Sequence, residues 1–222
     1  MNMWDSRREL ILKLVIEDYI RTAQPVGSKY LNERYQIGVS DATVRNELAV
    51  LEAEGYLRSP HTSAGRVPTE AAYVYYLSHL RDKKFVLEGS PLRADIQEKD
   101  TQMVLKSMAK KLVEISGETA IVAIDPKWTY YTGVSNLFHK PDFQDPEVMH
   151  TLSDLVDQFD EVMQRMYRQL PEGPQVFIGS GNPFGQEMTT ILVRYNIDGE
   201  TQGLLGLVGP LRMDYSRNLA LI

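Results

Sequence analysis

The chain has no cysteine among its 222 residues. That absence excludes disulfides, a thiolate nucleophile and the commonest structural zinc sites, and it agrees with a reducing compartment. Runs of about 18 apolar residues are also missing, so no membrane-spanning helix is expected. The amino terminus leads straight into Trp4-Asp5-Ser6-Arg7-Arg8 without a signal-peptide core, and the expected location is cytoplasmic. Basic charge is in short supply too, with a formal net charge of −6, which is unusual for a protein that holds nucleic acid. The deficit is uneven: residues 1–84 carry 12 Lys and Arg against 11 Asp and Glu, whereas residues 85–222 carry 12 against 19. A near-neutral first part can still hold DNA if its cations cluster on one face, at the cost of a steep salt dependence. The 43% hydrophobic content is enough for ordinary cores, and the length suits two modest domains.

One further absence is local. From Tyr56 to Thr69 there are Arg58, His61 and Arg66 but no Asp or Glu, an acid-free island in an acidic chain. Gly55 before it suits a helix C-terminus, and Tyr56 to Arg58 with Arg66 to Val67 predict two short strands around a tip rich in hydroxyls. Arg, Ser, Thr and exposed amides are the groups that hold phosphate oxygens. Upstream, Ser40 is placed to cap a helix whose Val44, Leu48 and Leu51 fall on one face. The other face carries Ala42, Asn46, Ala49 and Ala53. Small residues around one amide let a helix approach base edges in a major groove, where Asn pairs bidentately with adenine. The same layout also fits a short core helix with a solvated face and a surface hairpin.

Around this segment the pattern predicts an α+β chain. Leu10, Ile11, Leu14, Val15 and Tyr19 give a first helix over 6–20 that Pro25 terminates, and Ser28 is placed to cap a second through Leu31 to Tyr35. With the helix after Ser40 and the two strands, this is the order of a winged helix-turn-helix domain. Thr69 is placed to cap an exit helix through Tyr73, Tyr76, Leu77 and Leu80. The domain is expected over 1–84, with a linker over 85–91 announced by Arg81-Asp82-Lys83-Lys84 and ended by Gly89-Ser90-Pro91. A second domain is expected over 92–222. It opens with a helix from Leu92 to Ser116, followed by strands 119–124 and 128–132. A helix from Asp145-Pro146 then buries Val148, Leu152, Leu155, Val156, Phe159 and Met163, and strands follow at 175–178, 189–195 and 203–208. Its Asp154, Asp157, Asp160 and Glu161 read as a solvated face.

No catalytic or cofactor constellation stands out, so no enzyme, metal or cofactor is expected. Gly179-Ser180-Gly181-Asn182-Pro183-Phe184-Gly185 matches neither phosphate-loop spacing, and Ser180 lacks the G-x-S-x-G setting of a nucleophile. His61, His79, His139 and His150 have no metal-ligand spacing. In Gly209-Pro210-Leu211-Arg212-Met213-Asp214-Tyr215 the Arg and Asp are expected to stitch a turn to the domain.

The residues themselves resemble a family. Pro25-Val26-Gly27-Ser28, Ser40 to Leu48, Pro60-His61-Thr62-Ser63-Ala64-Gly65-Arg66-Val67-Pro68-Thr69 and Gly209 to Tyr215 look like the signatures of the bacterial heat-inducible transcription repressors, HrcA. A weaker match covers Tyr131 to Leu137 and Pro141-Asp142-Phe143. The resemblance implies a repressor of chaperone genes that binds an inverted-repeat operator as a homodimer, with the GroE chaperonin as co-repressor and a reduced GAF-like second domain. It places Lys29, Ser40, Thr43, Arg45, Asn46, His61, Thr62, Ser63, Gly65 and Arg66 at DNA, with Arg45 and Asn46 at bases or adjacent phosphates and Arg66 as the wing's groove or phosphate contact. Departures are Asp41 where the family has Pro, Ala72-Tyr73-Val74 where it has Gly-Tyr-Arg, and roughly a hundred residues lacking between Asp125 and Tyr130, the inserted dimerisation domain among them. The chain also ends just after Tyr215, short of an expected final helix, and dimerisation is expected to use the shortened domain or the long helix before it. Two rival readings remain: a small-molecule-responsive regulator of other genes, and an interaction module that has lost operator recognition.

Overall fold

A computed structural model describes residues 6–61, 65–80, 101–125, 127–196 and 202–222. The chain divides into two compact units, Met1–Lys83 and Lys84–Ile222. No helix among the described residues is long and apolar enough to cross a membrane.

The first unit holds α1 (Ser6–Thr22), α2 (Ser28–Tyr35), α3 (Asp41–Ala53), a hairpin of β1 (Leu57–Arg58) and β2 (Val67–Pro68), and α4 (Glu70–Leu80). The strands pair antiparallel with Leu57 opposite Pro68 and Arg58 opposite Val67. Ile11, Leu12, Val15 and Ile16 of α1, Leu31 of α2, Val44 and Leu51 of α3, and Tyr73 of α4 are buried together with Leu57 and Val67. The buried face of α1 is rotated from the one expected: Leu12 and Ile16 are covered while Leu10 is 44% exposed. Apolar residues at 10–12 and 14–16 offer two stripes, and packing against the other helices selects one of them.

Local chemistry accounts for the helix ends. Ser40 caps α3, its hydroxyl accepting from the Thr43 amide at 3.1 Å, as expected. Ser28 differs. It is the first residue of α2, 9% exposed, and the capping position is Gly27, which has no side chain to offer. The hydroxyl of Thr69 also differs from expectation, since it donates to the carbonyls of Gly55 and Tyr56 at 2.7 and 3.1 Å and so ties the start of α4 to the end of α3. Between α2 and α3 the chain turns through Gln36 and Gly38, both at positive φ, and Gly38 at +83° occupies a conformation that glycine adopts without steric cost.

In the second unit α5 (Thr101–Ser116) precedes β3 (Thr119–Asp125) and β4 (Trp128–Thr132). Residues 92–100 of the expected long helix and the expected linker lie outside the described residues. Then come α6 (Val134–His139), a 3-10 turn over 141–143, α7 (Pro146–Asp157), α8 (Phe159–Gln169), β5 (Gln175–Ile178), β6 (Met188–Asn196), β7 (Gln202–Pro210) and α9 (Tyr215–Leu221). The five strands form one antiparallel sheet in the order β4-β3-β7-β6-β5. Alternate residues of β3 and β7 face opposite ways, so the sheet has a core on each side. Ile121, Leu204 and Val208 join Leu137, Phe143, Phe159, Met163 and Phe184 on one face, and Ala120, Val122, Leu205 and Leu207 join Leu105, Ala109, Leu112 and Leu221 on the other.

Two expectations differ from the structure. The single helix after Asp145-Pro146 is two helices parted at Gln158, a break that no Gly or Pro announces. Leu152, Phe159 and Met163 are buried as expected, while the side chains of Asp154 and Leu155 lie outside the described ones. A final helix is present after all: α9 starts at Tyr215, and Asp214 caps it by accepting from the Arg217 amide at 3.0 Å. At the place where roughly a hundred residues are expected to be lacking, β3 pairs directly with β4, and Asp125 Oδ1 accepts from the amides of Lys127 and Trp128 at 2.6 and 3.0 Å.

Candidate nucleic-acid interface

The outward face of α3 carries Ala42, Arg45, Asn46, Ala49 and Ala53, all exposed. Their spacing puts them on one stripe opposite Val44, Leu48 and Leu51, with Glu52 at its edge three residues after Ala49. Neither Arg45 nor Asn46 has a hydrogen-bond or ion-pair partner among the described residues, so both polar ends face water. Ser40 and Thr43 sit together at the first turn of the same helix, with their hydroxyls 2.9 Å apart. That turn exposes amides at the positive end of the helix dipole, where anions are favoured.

The frame behind this face is polar and specific. Glu47, 9% exposed on the inner side of α3, accepts from Arg7 Nη2 at 3.1 Å and Arg8 Nε at 2.9 Å, which fastens α1 to α3. Asn32 of α2 donates to the Val39 carbonyl at 2.9 Å and to Asp41 Oδ1 at 2.7 Å. Asp41 therefore holds the turn before α3. Buried Asp18 of α1 accepts from the Tyr35 hydroxyl at 2.9 Å and faces Arg21 and Arg34, anchoring α2 from its other end.

The expected DNA residues fall into groups. Ser40, Thr43, Arg45 and Asn46 share α3. Lys29 lies apart on α2, 77% exposed and 3.8 Å from Glu33 in a surface pair worth little. His61 is exposed at the hairpin, and Thr62 and Ser63 lie outside the described residues. Gly65 and Arg66 turn out to have structural partners that the sequence did not indicate. A Cβ at Gly65 would stand 2.5 to 2.7 Å from backbone atoms of Val26, so glycine is what lets the hairpin close against the loop before α2. Val26 and Arg66 exchange both backbone hydrogen bonds there, at 2.9 and 2.8 Å. The Arg66 guanidinium turns inward, with Nη2 2.8 Å from Glu52 Oε2. Ser59 donates to the other oxygen of Glu52 at 2.7 Å. The Ser59 hydroxyl first, and then the Arg66 charge, hold the Glu52 carboxyl below the usual carboxylate range against the opposing effect of burial.

In the second unit the side chains of the Gly209 to Tyr215 motif hold the fold. Arg212 donates through Nε to both oxygens of Asp142 at 2.9 Å, joining two segments 70 residues apart. Lys140 reaches the buried Glu118 at 2.7 Å. In the loop over 179–185, Asn182 Oδ1 accepts from the Phe184 amide and the Thr190 hydroxyl, which sets Phe184 into the core and makes the loop a strand connection. No group of three or more potential metal ligands occurs among the described residues.

The fold is thus a two-unit α+β chain whose smaller unit displays a helix face of small residues, one arginine and one amide. Comparison with known proteins gives it a family. The HrcA protein C terminal domain matches residues 75–219. The chain is 25% identical to the heat-inducible transcription repressor HrcA of Halalkalibacterium halodurans over 326 residues, covering 99% of this chain and 95% of that one. It is 27% identical to that of Carboxydothermus hydrogenoformans at the same coverage. With the repressor of Bifidobacterium longum (strain DJO10A) identity is 46% over 127 residues, which are 54% of this chain and only 33% of the relative's length. A crystal structure of a hypothetical protein at 2.2 Å resolution shares the fold, with a TM-score of 0.79 at 16% identity over 98% of this chain and 94% of that one. The chain belongs to the HrcA family. Because it has 222 residues and its alignment with the Halalkalibacterium repressor runs to 326, about a hundred aligned positions have no counterpart in it.

Proposed function

We propose that this protein is a DNA-binding transcription repressor of heat-shock genes, a shortened HrcA whose first unit is a winged helix-turn-helix and reads an inverted-repeat operator. The observation that carries this reading is the outward face of α3, where Arg45 and Asn46 stand exposed among alanines with no partner among the described residues. Asn46 is suited to adenine and Arg45 to guanine or an adjacent phosphate. Ser40, Thr43, Lys29 and His61, with Thr62 and Ser63, are the proposed phosphate contacts, and Gly65 and Arg66 shape the hairpin. The alanines matter because a bulky side chain at 42, 49 or 53 would hold the helix away from the base edges.

The second unit, an antiparallel sheet between two helical layers, supports the reduced GAF-like reading. We assign it dimerisation and signal sensing, with the GroE chaperonin as candidate co-repressor. Two-fold symmetry of the dimer then mirrors the operator's. Sedimentation that finds only monomer with and without DNA contradicts the dimer.

The DNA reading is tested with Arg45→Ala and Asn46→Ala. Each is expected to weaken binding to a duplex that the wild type selects from a random pool by about 1 to 3 kcal/mol and to relax sequence preference at one position of each half-site. Unchanged affinity in both variants assigns the wrong face.

A further inference from the structure

Glu52 is an acid in the last turns of the helix proposed to face DNA, a place where a carboxylate repels phosphate. It is also the point where three pieces of backbone meet. Its Oε1 accepts from Ser59 just after β1, at 2.7 Å, and its Oε2 faces Arg66 just before β2, at 2.8 Å. One carboxylate on α3 therefore grips both limbs of the hairpin. Arg66 in turn is joined through its backbone to Val26, which is 1% exposed, so the grip extends to the loop before α2.

The charges agree with this. Within the otherwise acid-free hairpin, Arg66 is the cation already spent: its side chain is 23% exposed and spans to Glu52, while Arg58 and His61 are exposed. A phosphate that took Arg66 would leave Glu52 unneutralised beside the DNA. The pair instead cancels an acid near the reading face and fixes the angle between hairpin and helix. We infer that Glu52 is a positioning residue of the DNA interface, and that Arg66 acts through it as a latch on the hairpin, not as a phosphate ligand. This rests on the DNA-binding reading above.

The test compares the wild type with Glu52→Gln, Arg66→Ala, the double variant and the milder Ser59→Ala. Each is titrated over a salt series with the selected duplex and with a scrambled duplex of equal length, and amide exchange is followed at Val26 and Arg66. As a latch, both single variants lower the ratio of selected to scrambled affinity about ten-fold, the double variant is no worse than the worse single, and the salt slope is unchanged. Glu52→Gln, which removes an acid, leaves scrambled binding equal or tighter, Ser59→Ala shifts the ratio the same way by less, and exchange at Val26 and Arg66 quickens. The inference is overturned if Arg66→Ala lowers the salt slope by about 0.9 and weakens both duplexes alike while Glu52→Gln leaves the ratio intact, because that is the behaviour of a phosphate contact. If the wild type selects no duplex and shows no salt-sensitive binding, the DNA reading itself has failed, and the positioning role falls with it. Should Arg66→Ala fail to fold by circular dichroism, Glu52→Gln and Ser59→Ala decide the matter alone.

Discussion

Replacing Gly65 with alanine should do more damage than a single methyl suggests. The new Cβ would lie 2.5 Å from the Val26 carbonyl carbon, 2.6 Å from its oxygen and 2.7 Å from its nitrogen, all backbone atoms that cannot rotate away. Ordinary contact requires about an ångström more, so hairpin and loop must part by about that much. The Val26–Arg66 hydrogen bonds of 2.9 and 2.8 Å then pass out of bonding range. Two such bonds are worth about 1 kcal/mol each, and relief of the clash adds 1 to 3 kcal/mol where the backbone yields only partly. The expected loss of stability is about 3 to 5 kcal/mol, measured by urea unfolding, with faster amide exchange at Val26 and Arg66 and weaker DNA binding. Gly27→Ser, one residue along from the same Val26, is the control. Its Cβ meets nothing within 4 Å and its hydroxyl would supply the cap that α2 lacks, for a gain of a few tenths of a kcal/mol. A loss below about 0.5 kcal/mol for Gly65→Ala, with unchanged exchange at the bridge, refutes the reasoning.

Two further outcomes follow from named contacts. Ser40→Ala removes the cap of α3 and should cost about 1 kcal/mol by thermal or urea unfolding, together with some DNA affinity; no change in stability contradicts the capping role. Burial raises the Glu118 carboxyl above its ordinary value, with Lys140 and Arg212 pulling the other way. A carboxyl held higher in the folded state contributes stability that is complete below its unfolded value of about 4.3 and is lost as pH climbs through the folded value. The wild-type unfolding midpoint should therefore fall relative to Glu118→Gln as pH rises from about 4, and a difference that is flat or of opposite slope rejects the burial argument.

What the sequence disclosed was local. Ser40 stands three residues before the amide it caps, Val44, Leu48 and Leu51 lie within two turns, and strands such as 128–132 are bounded by their own turn residues, so these elements were readable from the pattern alone. The contacts that position the candidate interface span longer separations. Glu52 with Arg66, Glu47 with Arg7 and Arg8, and Arg212 with Asp142 join residues from 14 to 70 positions apart, and no spacing rule connects them. Gly65 illustrates the gap well: its place in a family signature suggested DNA, whereas its immediate neighbour in space is Val26. Where two local answers were equally good, as with the two apolar stripes of α1, only packing could choose. The break at Gln158 was hidden because the apolar period continues through it. The helix after Tyr215 was hidden because seven residues make too short a periodic signal, although Asp214 ahead of them is a cap by type.

The most direct test of the central claim is a salt series of the wild type's affinity for an inverted-repeat duplex it has selected and for a scrambled duplex of equal length. A repressor reading bases from α3 gives log affinity that falls linearly with log salt on both duplexes and prefers the selected one by about a thousand-fold or more. Affinity that ignores salt, or that is the same for both duplexes at every salt concentration, contradicts it.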